Sequence, residues 1–354
     1  MYTVIDLFSG IGGLSYPFHR DANFKVAAAN EILKEPAIAY GLNYPKTKMY
    51  NCDIADLSVS QIQKDLGIEK VDIVLGGPPC QSFSTVGKRD IGDPRTFLFK
   101  EYCRFLEECS AKMFVFENVR GLLSVQRGLL FRQILNKFKN LGYTIKYELL
   151  DSADYGVPQH RKRIIIVGFK KKFKFKFPLP TNGSKKNPYL TVADAISDLP
   201  RIGNDGESTQ YESTPKNQYQ LDIRDQAEVL LHHNYSSNHK KLVDIMEYLP
   251  DGGSFKDIPQ QLRPKSGFGN TYSRLWWNKP STTITRNLGV PSSSRCIHPK
   301  EPRALTTREG ARLQSFPDNF VFYGSRQKMN LQIGEAVPPL FAQSIFQEVA
   351  SCIY

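Results

Sequence analysis

Short apolar runs alternate with amphipathic stretches through the first half of the chain. Residues 2–8, 25–30, 71–75, 113–116 and 164–169 are rich in Val, Ile and Phe and are bounded by Gly, Pro or Asp. Runs of that length and make-up predict buried strands. Helical spacing is clearest over 129–141, where Leu130, Phe131, Ile134, Leu135 and Phe138 share one face and Gly142 supplies a stop. Strand–helix alternation predicts an open, mostly parallel sheet with helices on both faces.

The pattern changes after about residue 170. Residues 171–177 alternate Lys and Phe, which predicts a strand with one wet face ahead of a DNA-contact strip. Residues 181–240 are polar and loop-like, with short helices expected at 191–199 and 242–249. Gly, Ser and Asn stay frequent through 253–270. A last helix follows, with Pro338 and Pro339 suited to its first turn and Leu340, Phe341, Ile345 and Val349 at helical spacing. The fold class expected is α/β, a Rossmann-like sheet with a second, smaller and more irregular domain.

Composition narrows the function. The 354 residues are 40% hydrophobic, enough for a core, and the net charge of +12 suits a polyanionic partner such as nucleic acid, although basic residues also serve solubility. The six cysteines at 52, 80, 103, 109, 296 and 352 have neither zinc-finger spacing nor the density of a disulfide framework, which fits a reducing cytoplasm. The chain starts directly on a strand-like run, so no leader and no N-terminal regulatory domain are expected, and no apolar run reaches membrane-span length.

The segment Asp6-Leu-Phe-Ser-Gly10-Ile-Gly12-Gly-Leu14 follows the first strand. Glycines there let the backbone turn tightly and approach a ligand. Glu31 ends the next strand about twenty residues on, where an acidic side chain binds ribose hydroxyls. Asp53 could accept from an adenine amino group. No phosphate-cradling Lys follows the glycines, which excludes a P-loop and suits a nucleoside ligand without phosphates, S-adenosylmethionine rather than ATP. A dinucleotide stays open on these residues alone.

Candidate chemistry lies at two other strand ends. Cys80, in Gly76-Gly-Pro-Pro-Cys-Gln81, sits just past a strand, on the edge where open α/β sheets bind ligands. Glu117 ends the 113–116 run and, set against apolar residues, could act as an acid. Singly, each has a duller explanation: a loop thiol and a capping carboxylate.

Together the segments are similar, in kind and order, to those of bacterial-type DNA cytosine-5 methyltransferases. They are 6–14, Glu31, Asp53, 76–84, Phe116-Glu-Asn-Val119, Tyr155-Gly-Val-Pro-Gln-His-Arg-Lys-Arg163, 274–284, 305–317 and 332–338. The resemblance implies S-adenosylmethionine as cofactor and a cytosine flipped out of a specific double-stranded DNA sequence. It implies Cys80 as the nucleophile adding at carbon 6, Glu117 as the proton source at N3, and Arg161 and Arg163 holding the base and the active-site loop, which Asn118 and Gln81 support. The cofactor pocket would be lined by Phe8, Gly10, Gly12, Leu14, Glu31, Asp53, Ile54, Pro78, Leu98 and Val337. Glu335 departs from the family, where many members carry Asn.

By the same resemblance, residues 1–180, completed by 325–354, form the catalytic and cofactor-binding domain, and 181–324 form the target-recognition domain and hinge. Gln81, Ser84, Arg274 and Arg286 are taken as DNA contacts, and Arg263, Lys265, Trp276 and Arg295 are further candidates for phosphate or base contact. Arg274 could instead organise the recognition domain. The expected protein is the modification enzyme of a restriction system, a monomer in a bacterial cytoplasm, on the nucleoid through DNA, with no metal and no membrane. Two rivals are a tRNA methyltransferase on the same scaffold, whose Cys-Phe-Thr signature is not found, and a catalytically silent DNA-binding relative.

Overall fold

The structure, a computed structural model, describes residues 1–79, 98–170, 174–235, 237–265 and 270–353. They divide into two compact units, Met1–Asp151 with Lys162–Leu179 and Ala342–Tyr354, and Ser152–Arg161 with Pro180–Phe341.

The first unit is built on a seven-stranded sheet. Its strands are β1 (Tyr2–Leu7), β2 (Phe24–Asn30), β3 (Lys48–Tyr50), β4 (Ile73–Gly76), β5 (Met113–Val119), β6 (Thr144–Asp151) and β7 (Lys162–Phe169), in the order β3-β2-β1-β4-β5-β7-β6. Pairing is parallel as far as β5, and β7 runs antiparallel to both of its neighbours. The sheet is mostly parallel, as expected, with β7 as its one antiparallel strand among the described residues. Helices α1 (Tyr16–Arg20), α2 (Lys34–Asn43), α3 (Val59–Leu66), α4 (Leu98–Cys109) and α5 (Leu129–Asn140) connect the strands. The five apolar positions foreseen for 129–141 are the buried ones of α5. Tyr102 of α4 donates to the carbonyls of Val74 and Val115, which fastens the helix across β4 and β5.

Two strands of this unit escaped the sequence reading. β3 has three residues, too few to show a period. β6 is an edge strand with five of its eight residues exposed, so it has no continuous apolar face to betray it. Of the expected strand 171–177, residues 171–173 lie outside the described residues. Lys174 and Lys176 are exposed and Phe175 is buried, yet 174–177 pair with no strand among the described residues. The alternation is real, without a ladder.

The second unit holds α6 (Val192–Ile196), α7 (Gln218–Arg224), α8 (Lys240–Tyr248), the two-stranded pair β8 (Ser273–Arg274) and β9 (Arg295–Ile297), α9 (Thr307–Leu313) and α10 (Arg326–Glu335). Every residue of α9 is buried. The last helix, α11 (Pro339–Ser351), begins on the second proline and buries Phe341, Ile345 and Val349, while Leu340 is exposed. Contacts place 152–161 and 325–341 with the second unit, where the sequence reading attached them to the first. Gln159 explains part of this, since its amide donates to Leu313 O and Gln314 Oε1 and accepts from Ile284 N. No helix among the described residues is long and apolar enough to cross a membrane.

Candidate functional site

The strand register places the chemistry of the first unit on one sheet edge. Leu7 pairs with Asn30 and Gly76, Gly76 with Phe116, and Val119 with Arg163. The ends of β1, β2, β4 and β5 therefore lie beside the start of antiparallel β7.

At the β1 end the chain turns through positive φ at Phe8, Gly10 and Gly12. A Cβ on Gly12 would lie 2.5 Å from the Tyr44 ring, so packing against α2 requires that glycine. A Cβ on Gly10 would meet open space, which leaves its backbone approachable. Gly10 N donates to Glu31 Oε2 at 2.9 Å, and Leu33 N donates to Oε1 at 2.8 Å. Glu31 thus ties the glycine turn to the end of β2. Asn30 and Asn51 then stitch that end to the next turn: Asn30 Nδ2 donates to Tyr50 O and Cys52 O, and Asn51 Nδ2 to Glu31 O. Asp53 is exposed and accepts from Ala55 N. Ile54, Phe8 and Leu98 belong to one apolar cluster. Leu14 is buried, as is Pro78 on the loop after β4. Val337 belongs to the second unit.

The loop after β4 is described as far as Pro79; Cys80, Gln81 and Ser84 lie outside the described residues. Its base is braced. Asn118 Nδ2 donates to Pro78 O at 3.0 Å, and a Cβ on Gly77 would lie 2.9 Å from Glu117 Oε2, so the carboxylate rests against the loop. Arg163 Nε meets Glu117 Oε1 at 2.8 Å, and both side chains are nearly buried. The two residues are diagonal neighbours on paired strands. Burial pushes the Arg163 guanidinium down, and Glu117 opposes that shift. Sequence reading treated Glu117 as a carboxyl against an apolar run; the fold gives it a guanidinium partner.

One acid on this edge was missed. Asp6 is 1% exposed, and its Oδ2 has no hydrogen-bond partner among the described residues. Burial, offset in part by a Ser15 hydrogen bond and reinforced by Glu31, raises its carboxyl to about 7. The signal was present, since Asp6 is a charge inside an apolar strand run.

The second unit uses its arginines differently. Arg161 is buried and donates to Ile284 O at 3.0 Å and Gly334 O at 2.9 Å. Arg274, expected to touch DNA, is 5% exposed and donates to the carbonyls of Leu249, His298, Glu301 and Met246. That expectation is corrected: its donors are spent on backbone, and Arg274 ties β8 to the end of α8 and to 298–301. Arg295 stacks on Trp276 at 4.1 Å and donates to Gly252 O and Gly253 O. Arg263 donates to Lys256 O and Ile258 O. Lys265 and Arg286 are exposed. Glu335 has its proton affinity raised by burial, against the charges of Arg286 and Arg161. His298, Glu301 and Glu309 come close enough to suggest a metal. However, Arg303 pairs with both carboxylates at 2.8 Å, and His298 Nδ1 accepts from Lys300 N and Glu301 N. The ligand atoms are already engaged in a closed ion-pair network.

Comparisons with known proteins agree with this geometry. The family model for C-5 cytosine-specific DNA methylase matches residues 2–351. Type II methyltransferase M1.HphI of Haemophilus parahaemolyticus is 38% identical, over 98% of this chain and 86% of its own. Type II methyltransferase M.DdeI of Desulfomicrobium norvegicum is 35% identical, over 98% and 88%. Among solved structures, an E. coli prophage protein described as a DNA modification methyltransferase superposes with a TM-score of 0.81 at 25% identity, covering 100% of this chain and 99% of that one. The chain belongs to the C-5 cytosine-specific DNA methylase family and is a DNA cytosine-5 methyltransferase.

Proposed function

We propose that this enzyme methylates carbon 5 of a cytosine flipped out of a specific double-stranded DNA sequence, through a covalent Cys80 adduct, as the modification enzyme of a restriction–modification system. The observation that carries the reading is the braced base of the Cys80 loop, with Asn118 on Pro78 O and the Glu117–Arg163 pair resting against Gly77.

The residues at the ends of β1 and β2 fit S-adenosylmethionine. Gly10 leaves space beside its backbone, Glu31 and Asp53 offer acceptors for ribose hydroxyls and an adenine amino group, and the orphaned Asp6 oxygen suits a cationic ligand. Bound there, the cofactor supplies an electrophilic methyl group. Phe8, Ile54, Pro78 and Leu98 would cover it.

Carbon 5 of cytosine is a poor nucleophile. Protonation at N3, assisted by Glu117, draws electron density from carbon 6. The Cys80 thiolate then adds there; the carbon–sulfur bond forms as ring electrons move toward carbon 5. Once carbon 5 carries the methyl group, loss of its proton restores the double bond and expels the thiolate. Arg163 acts through Glu117, fixing where the carboxylate sits. Extracting the base costs about a few kcal/mol, offset by contacts to the protein. Gln81, Ser84 and Arg286 are proposed DNA contacts, and the enzyme is taken to work as a monomer without a metal, in the bacterial cytoplasm.

Tritium release from DNA labelled at cytosine carbon 5, together with covalent trapping by 5-fluorocytosine DNA, tests the mechanism. Both should vanish in Cys80→Ala. Methylation at the wild-type rate by that variant, or methylation of tRNA in place of DNA, would overturn the reading.

A further inference from the structure

Asp6 is a buried carboxyl with an orphaned oxygen, placed one residue before the end of β1. A charge in such a place is costly without a partner. Among the described residues, the titratable and polar groups that act on it come from the start of α1, the end of β2, α2 and the turn after it, and α4. Ser15, just before α1, hydrogen-bonds to it, and Glu31 at the end of β2 adds a like charge. Tyr40 of α2, Tyr44 just after it and Tyr102 of α4 all feel its charge. Ser15 Oγ lies 3.3 Å from Tyr40 OH, which in turn lies 3.0 Å from His19 Nε2, and burial pushes His19 down to about 3. Among the described residues, no cation acts on Asp6. Glu31, meanwhile, grips Gly10 N on the turn where the cofactor is proposed to sit. The described groups around Asp6 supply no positive charge, and the cofactor carries a sulfonium and an ammonium.

We propose that cofactor binding is coupled to proton release from Asp6: the empty protein keeps the carboxyl neutral, and the cationic cofactor ionises it, the proton passing to solvent. The proposal rests on the reading of this edge as the S-adenosylmethionine site. It makes Asp6 a positioning residue that favours a cationic ligand. A carboxyl held by protonation is also spared the cost of an unpaired buried charge between turnovers.

The test is calorimetric titration of the full-length protein with S-adenosylmethionine, in buffers of low and high ionisation enthalpy, from pH 5.5 to 8. Wild-type protein should release a proton, and affinity should tighten with pH up to neutrality, approaching tenfold per pH unit where release is complete. Asp6→Asn should bind with a weak pH dependence and lose that release; the cofactor's own amino group titrates in both proteins, so the difference isolates Asp6. Ser15→Ala, which removes the hydrogen bond that favours the ionised form, should keep the release and move it to higher pH. Equal proton release in wild type and Asp6→Asn, or none in wild type, overturns the coupling while leaving the site intact. No binding at any pH overturns the cofactor reading itself, and the coupling with it.

Discussion

Arg163 and Arg312 are both nearly enclosed and both bonded to carboxylates, yet they do different work. Among the described residues Arg163 has one carboxylate partner, Glu117, and that pair sits beside the loop that leads into Cys80. Arg312 has two, Asp198 and Asp318, at 2.5 and 2.6 Å, and also donates to Ala195 O. Burial works against ionisation of Asp318, but Arg312 holds that carboxyl below the usual range. Arg308 beside it donates to Leu231 O, Pro317 O and Phe320 O. The first arginine holds the carboxylate proposed to assist the chemistry; the others knit irregular chain together. A unit with short helices and one two-stranded pair has little ladder to satisfy its carbonyls, and buried guanidinium groups, with five donors each, do so instead. Basic composition in the second unit is thus a poor guide to DNA contact.

Breaking this comparison is straightforward. Arg312→Met takes the shared cation from buried Asp198 and Asp318, leaving Asp198 to Arg224 and Asp318 to the more distant Arg308, and we expect a loss of about 3–5 kcal/mol in chemical denaturation, enough to abolish activity through unfolding. Glu117→Gln keeps an acceptor for Arg163 but removes its counter-charge, so it should cost stability less than Arg312→Met, on the order of 1–2 kcal/mol, while methyl transfer in single turnover falls by roughly 10²–10⁴-fold. If the two variants behaved alike, the division between orienting and knitting arginines would fail.

Asp6→Asn sharpens the contrast from the stability side. The Asp6 carboxyl rises from 3.8 to about 7 on folding, so the folded state keeps a proton that the unfolded chain loses. Between these values stability falls as pH rises, and the cost is complete above pH 7. Thermal melts without cofactor should therefore show the variant more stable than wild type above pH 7, by on the order of 1–4 kcal/mol, with the gap closing toward pH 4. A gap that widens on acidification would reverse the sign and sink the assignment. The smallest effect is expected from Arg286→Ala. This exposed side chain should cost about 1 kcal/mol in DNA affinity and lower the salt slope by about one, with no change in melting. Arg274→Ala, by contrast, should melt early before any DNA effect can be read.

The sequence carried the central fold because five strands are buried, and buried strands declare themselves as apolar runs. β1, β2, β4, β5 and β7 were all legible, as was the apolar face of α5. It also carried the identity of the reaction, since the glycine turn, the Gly-Gly-Pro-Pro-Cys loop and Glu-Asn-Val occur in one order. It could not carry partners. Glu117 and Arg163 are 46 positions apart in sequence, and only the antiparallel insertion of β7 beside β5 brings them to 2.8 Å. Arg274 and Arg286 look alike as letters, and only packing makes one a buried clasp and leaves the other on the surface. Asp6 was visible as a charge in an apolar strand, but its orphaned oxygen and its like-charged neighbour Glu31 belong to the folded state alone. Local pattern fixes which segments must be buried, because burial is a property of each run. Which donor meets which acceptor depends on chain ends brought together by topology, and that the tertiary structure decided.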